Sequence, residues 1–124
     1  MRKGDIFLAE NRENNPHPIV FIEQIDISSF KACILSHQPT NQNIPMIQEH
    51  FHTNDENGDP YQIQFENSYL VPNVTFIKMT SWLSNEKVKG RLTDLGISFI
   101  EQYVNEQPVL FPAPIWDYRL VENN

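Results

Sequence analysis

Apolar positions in the first two-thirds of the chain fall into short runs separated by polar stretches, the spacing of strands and turns. Residues 5–9 form a brief apolar segment, and 10–16, rich in Asn and charge, read as a polar loop. Residues 18–24 carry Ile19, Val20, Phe21 and Ile22 in succession, a β-branched and aromatic run that predicts a strand buried on both faces. A third run, 30–37, is apolar through its centre and polar at its exit. The links between these strands are shorter than the ~12-residue crossover a parallel pair requires, so an antiparallel sheet is predicted.

Between residues 38 and 60 periodicity gives way to Asn, Gln, Pro and Asp, which predicts a surface excursion of functional or mobile character. Residues 61–65 alternate Tyr, Gln, Ile, Gln, Phe, the period-2 pattern of a half-buried strand. A further strand is predicted over 74–79, with Pro72 interrupting the run ahead of it, since proline is tolerated only at an edge, a strand end or a bulge. After Gly90 the pattern changes. Leu92, Leu95, Phe99, Ile100, Tyr103 and Val104 recur at helical spacing behind Thr93 as N-cap and Asp94 in the first turn, predicting a helix over about 93–105. Gly96 inside it costs ~1 kcal/mol relative to Ala. The tail, 106–124, has three prolines between 108 and 114 and is predicted to be extended, with Trp116 either anchoring a partner or capping this chain's own fold.

At 124 residues and 40% hydrophobic, with eight Phe, four Tyr and two Trp, the chain is one domain, 1–124, able to bury a core. The formal charge of −7 disfavours nonspecific binding to nucleic acid or an anionic membrane, so any nucleic-acid role needs a local basic patch. One cysteine, Cys33, closes no disulfide within the chain. The N-terminal apolar stretch falls short of the ~7 to 15 residues of a signal peptide, and no run approaches the ~18 needed for a membrane span. The expected location is the cytoplasm.

The order of short motifs is informative. Lys3-Gly4-Asp5-Ile6-Phe7, then His17-Pro18-Ile19-Val20-Phe21, Ile34-Leu35-Ser36-His37, Ser68-Tyr69-Leu70 leading to Phe76-Ile77-Lys78, and Gly90-Arg91-Leu92 together resemble the MazF/PemK-type endoribonuclease toxins over residues 3 to 104. The resemblance implies a small SH3-like antiparallel β-barrel with a C-terminal α-helix. It also implies metal-free cleavage of single-stranded RNA, a homodimer, inhibition by an antitoxin protein, and a bacterial origin. Two positions depart from the family pattern: His17 stands where an Arg usually precedes the proline, and Ser36-His37 leave the third strand without the usual Pro.

Metal-free RNA cleavage needs a base for the 2′-hydroxyl proton, an acid for the leaving 5′-oxygen and a donor for the charged phosphorane. Histidine, titrating near ~6.5, suits the first two roles. His17 at one strand's start and His37 at the next strand's end are expected at one edge of an antiparallel pair, with Ser36 donating to the phosphate. Lys78 or Arg12 would supply the stabilising cation. Two exposed loop histidines are the competing account. Lys87, Lys89 and Arg91 are the one basic cluster and could contact backbone phosphates, or form a solvated turn. Phe51, Tyr61, Tyr69 and Trp82 could stack on bases or belong to the core.

His50 and His52, which would point the same way on an extended chain, sit near Asp55, Glu56 and Asp59 and invite a divalent ion. As a calcium loop the segment fails, because aligning Gly58 with the sixth position puts Thr53 first and Gln64 twelfth. An acidic hairpin is the alternative, and neither metal nor cofactor is expected. Cys33 is too far along its strand from His37 to act with it, and reads as a core thiol. The leading expectation is therefore a ribonuclease with His17, Ser36 and His37 catalytic; the rival is a non-catalytic barrel that binds a peptide or protein.

Overall fold

The structure, a computed structural model, describes residues 1–8, 17–40, 42–83, 87–104 and 109–110. Seven strands form one sheet: β1 (Asp5–Phe7), β2 (Ile19–Asp26), β3 (Ser29–Ser36), β4 (Ile44–Pro45), β5 (Tyr69–Met79), β6 (Gly90–Arg91) and β7 (Val109–Leu110). One helix, α1 (Asp94–Val104), and two 3-10 turns, Gln48–His50 and Thr80–Leu83, complete the architecture among the described residues. The strand path is β4-β5-β3-β2-β1-β6, antiparallel throughout, and β7 lies parallel to β5 through Thr75 and Phe76. The end strands β4 and β6 do not pair with each other, so among the described residues strand pairing does not close the sheet into a barrel.

Consecutive apolar residues in β2 and β3 serve both faces of the sheet. Val20, Ile22, Cys33 and Leu35 join Ile6, Met46, Phe51, Leu70, Leu92, Ile100 and Val104 on one side. Ile19, Phe21, Ala32 and Ile34 join Phe7 and Phe30 on the other, where Phe21 and Phe30 stack at 5.5 Å. Each large side chain so buried contributes ~1.5–3 kcal/mol, which explains why this central pair sets the frame. β2 changes character after Ile22: Glu23 through Asp26 are exposed as the hairpin leaves the core.

The helix begins as its N-cap dictates. Thr93 Oγ1 accepts the Gly96 N–H at 3.1 Å and donates to the Glu49 carbonyl at 2.7 Å, so one hydroxyl both caps α1 and ties it to the first 3-10 turn. β5 runs through Pro72 rather than starting after it. The proline sits where pairing with β3 slips, between Cys33↔Thr75 and Leu35↔Leu70, an irregularity that needs no N–H from it.

One expectation is refined and one is corrected. The segment 38–60 is mostly exposed, as a surface excursion should be, but it also supplies β4, the 3-10 turn and the buried Met46, His50 and Phe51, which the sequence pattern does not predict. Its apolar residues obey neither strand nor helix period because they enter the core from a single-turn helix and a lone bridge, Phe51 to Leu92. Residues 61–65 form no strand. They make single backbone bonds, Tyr61 N–H to Thr53 O and Ile63 N–H to Lys89 O, while Ile63 and Phe65 pack on the core and produce the alternation without a ladder. The close approach is possible because residue 90 is glycine, where a Cβ would lie 2.6 Å from the Ile63 carbonyl oxygen. Of the tail, Val109 and Leu110 are extended on β5; the rest of 106–124, Trp116 included, lies outside the described residues.

Candidate functional site

β2 begins and β3 ends at the same edge of the sheet, which brings the sequence candidates His17, Ser36 and His37 together. Ile19 pairs with Ile34, so continuing that register sets His17 level with Ser36, and His37 follows in the bend. On its other flank Ser36 pairs with Tyr69 at the start of β5. Ser36 is buried, and its Oγ accepts the Gln38 N–H at 3.0 Å; the hydroxyl keeps its proton for donation.

Both imidazoles are held through Nδ1 by backbone carbonyls. His17 Nδ1 lies 3.2 Å from Leu35 O, and His37 Nδ1 lies 2.8 Å from Glu66 O. A carbonyl only accepts, so each Nδ1 carries hydrogen, and when the ring is neutral the basic lone pair is on Nε2. Either ring can then take a proton at Nε2 or, once charged, return one from it. His37 is exposed, while His17 is half-buried.

The expected cations divide. Lys89 donates its N–H to Ile6 O beside β1, which puts it opposite Phe7, itself paired with Ile19 at the start of β2. Lys89 therefore lies toward the histidine edge, two strand spacings or ~10 Å from β2, with Lys87 two residues before it in the chain. Lys87 is exposed. Arg91 points its charge elsewhere: its Nε and Nη2 hold Asp5 Oδ1 at 3.0 and 2.8 Å, with Asp5 only 3% exposed. Glu56 lies 3.6 Å from the same guanidinium and also pairs with Arg2. Lys78 is buried opposite Phe30, six residues along β3 from Ser36 or ~20 Å away, so it does not reach this edge. Arg12 lies outside the described residues.

The remaining candidates take structural roles or stay apart. Phe51 is core, 5.9 Å from Phe65; Tyr61 and Tyr69 are half-buried, and the Trp82 side chain lies outside the described part. His50 and His52 do not point the same way: His50 is buried against Phe99 at 4.4 Å with Nδ1 accepting the Ile47 N–H at 3.1 Å, and His52 is exposed. Burial pushes the His50 imidazole below its ordinary range, with the Glu49 charge partly opposing. Among the described residues no three His, Cys, Asp or Glu side chains gather as metal ligands. Burial pushes the Cys33 thiol up to about 12, in keeping with a core residue.

Sequence reasoning missed the role of Pro18 facing Leu35, the Leu35 and Glu66 carbonyls that hold the two rings, and the Asp5–Arg91 pair. It also missed the left-handed residues beside the site, Gln42 at φ 63° and Asn67 at φ 48°. The His17-Pro18 dipeptide was the available signal for the first. What the residues define is a mostly β domain with one C-terminal helix and a histidine-serine edge. Comparison of the chain with protein-family models, curated proteins and solved structures finds no match. No helix among the described residues is long and apolar enough to cross a membrane.

Proposed function

We propose that this chain is a metal-independent endoribonuclease acting on single-stranded RNA at the His17–Ser36–His37 edge. The observation that carries the reading is the pair of imidazoles at one sheet end, each held at Nδ1 by a backbone carbonyl, which makes Nε2 the basic nitrogen of the neutral ring. One neutral ring takes the 2′-hydroxyl proton as the 2′-oxygen bonds to phosphorus. The other, charged, protonates the 5′-oxygen as the P–O5′ bond breaks, leaving a 2′,3′-cyclic phosphate and a 5′-hydroxyl. Ser36 Oγ–H donates to the phosphorane, and Lys87 and Lys89 attract the RNA backbone, replacing Lys78, which lies too far along β5.

The MazF/PemK resemblance agrees with this edge and extends the reading to an SH3-like barrel, a homodimer, a cytoplasmic location and an antitoxin partner. The barrel reading is supported by the 46–52 stretch, which bonds Ser68 through the Met46 N–H and Arg91 through the His52 N–H, linking the two ends of the strand path. A second reading, a peptide- or protein-binding module, is favoured by exposed Ile25, Ile27 and Met79 at the opposite sheet end, where Ile27 is 96% exposed.

The test is cleavage of a long mixed-sequence single-stranded RNA with EDTA present. Wild type should cut at discrete sites leaving 2′,3′-cyclic ends; His17→Gln, whose amide can still donate to Leu35 O, and His37→Ala should each lose ~10²-fold or more. RNA left intact by the folded wild type would abandon the ribonuclease in favour of the binding module.

A further inference from the structure

We propose that Pro18 is a positioning residue: it lacks the N–H that β2 would otherwise return to the Leu35 carbonyl, and so assigns that carbonyl to the His17 ring. The catalytic consequence rests on the ribonuclease reading; the positioning itself does not.

In an antiparallel hydrogen-bonded pair, two facing residues exchange both N–H···O bonds. Leu35 makes its half, donating its N–H to Pro18 O at 3.0 Å. The return bond is chemically impossible, because the ring nitrogen of proline carries no hydrogen. Leu35 N–H and C=O point toward β2, so Leu70, its neighbour on β5, faces it across the non-bonded side of the ladder. At a residue 3% exposed, an unmet carbonyl is costly, and the donor that meets it is His17 Nδ1 at 3.2 Å.

Two constraints on His17 follow from one residue. The carbonyl selects the Nδ1–H tautomer and leaves Nε2 as the base. A residue before proline is also pushed to extended backbone, which keeps His17 in line with the strand and opposite Ser36. Restoring an N–H at position 18 removes the first constraint: the backbone donor is already in register and needs no side chain ordered to reach the carbonyl. The Leu35 carbonyl then no longer selects the Nδ1–H tautomer.

The experiment compares the full-length wild type with Pro18→Val, which suits a strand, and Pro18→Ala as a second variant. Two-bond proton–nitrogen correlation spectra above the histidine titration should show His17 of the wild type as the Nδ1–H tautomer, and both variants should move it to a tautomer mixture. RNA cleavage should fall by ~10- to 100-fold with an altered pH profile, the scale for a misplaced catalytic group. An unchanged His17 tautomer in both folded variants overturns the proposal. A changed tautomer with cleavage undiminished overturns the catalytic consequence. A wild type that leaves RNA intact while Pro18→Val shifts the tautomer upholds the positioning of His17 and refutes the ribonuclease instead.

Discussion

Replacing glycine by alanine inside a helix ordinarily gains ~1 kcal/mol, but Gly96→Ala in α1 should do the reverse. An added Cβ would lie 2.2 Å from the His50 carbonyl oxygen and 3.0 and 3.1 Å from its carbonyl carbon and Cα. All three atoms are backbone, so no side chain can rotate aside. Ordinary contact begins at 3.4 Å, and the helix must retreat by about 1.2 Å, the shortfall from 2.2 Å. That retreat stretches Thr93 N–H to His50 O, now 2.9 Å, and Thr93 Oγ1 to Glu49 O, now 2.7 Å. It also lifts Phe99 from His50 and loosens Ile100 and Val104 in the core. Two weakened hydrogen bonds at ~1 kcal/mol each, with an overpacking cost of ~1–3, exceed the helical gain and leave a net loss of ~2 kcal/mol or more. Urea unfolding followed by circular dichroism should show a lower midpoint at unchanged slope, and melting should fall by roughly 6 to 10 °C. A variant as stable as the wild type, or more stable, would refute the contact between α1 and the 3-10 turn.

Arg91→Ala strands the Asp5 carboxylate, 3% exposed, with only the Arg2 N–H at 2.9 Å; breaking such a buried pair costs ~3–5 kcal/mol. The double variant with Asp5→Ala should recover part of that in urea unfolding, and a single-variant loss below ~1 kcal/mol would count against the pair. His50 holds its proton less tightly folded than unfolded, so its contribution is complete above the ordinary histidine value of ~6.5 and is lost as pH falls through that value toward the lowered folded one. Protonation at Nδ1 also sets a donor against the Ile47 N–H. His50→Gln should flatten the stability profile across that window, and an unchanged slope would reject the assignment.

Much of the sheet was legible because its signals are local. Four consecutive apolar residues, Ile19 to Ile22, suit only a strand covered on both faces, and Thr93 with Asp94 and the spacing to Val104 encode α1 within one segment. The buried residues within 38–60 were not legible because they are defined by partners far along the chain. Phe51 is a core residue through Leu92, and His50 is buried through Phe99 and Thr93. The alternation at 61–65 came from side chains dipping into that core, a pattern shared by a ladder and by a chain crossing one.

The same division holds at the candidate site. Residue types and the placement of His17 at one strand's start and of Ser36 and His37 at the next strand's end are properties of the chain alone, and they sufficed to name this candidate edge. Which cations accompany it was not: Lys78 and Arg91 are as basic as Lys87 and Lys89, yet strand register puts the first at the far end of β5, opposite Phe30, and the second is bound to Asp5, 86 residues away. The aim of the rings was also beyond the sequence. Pro18 withholds an N–H in any conformation, but only the pairing of β2 with β3 decides that the carbonyl facing it belongs to Leu35. Chain composition determines which donors are missing, whereas long-range register determines which acceptors are left for His17 to meet.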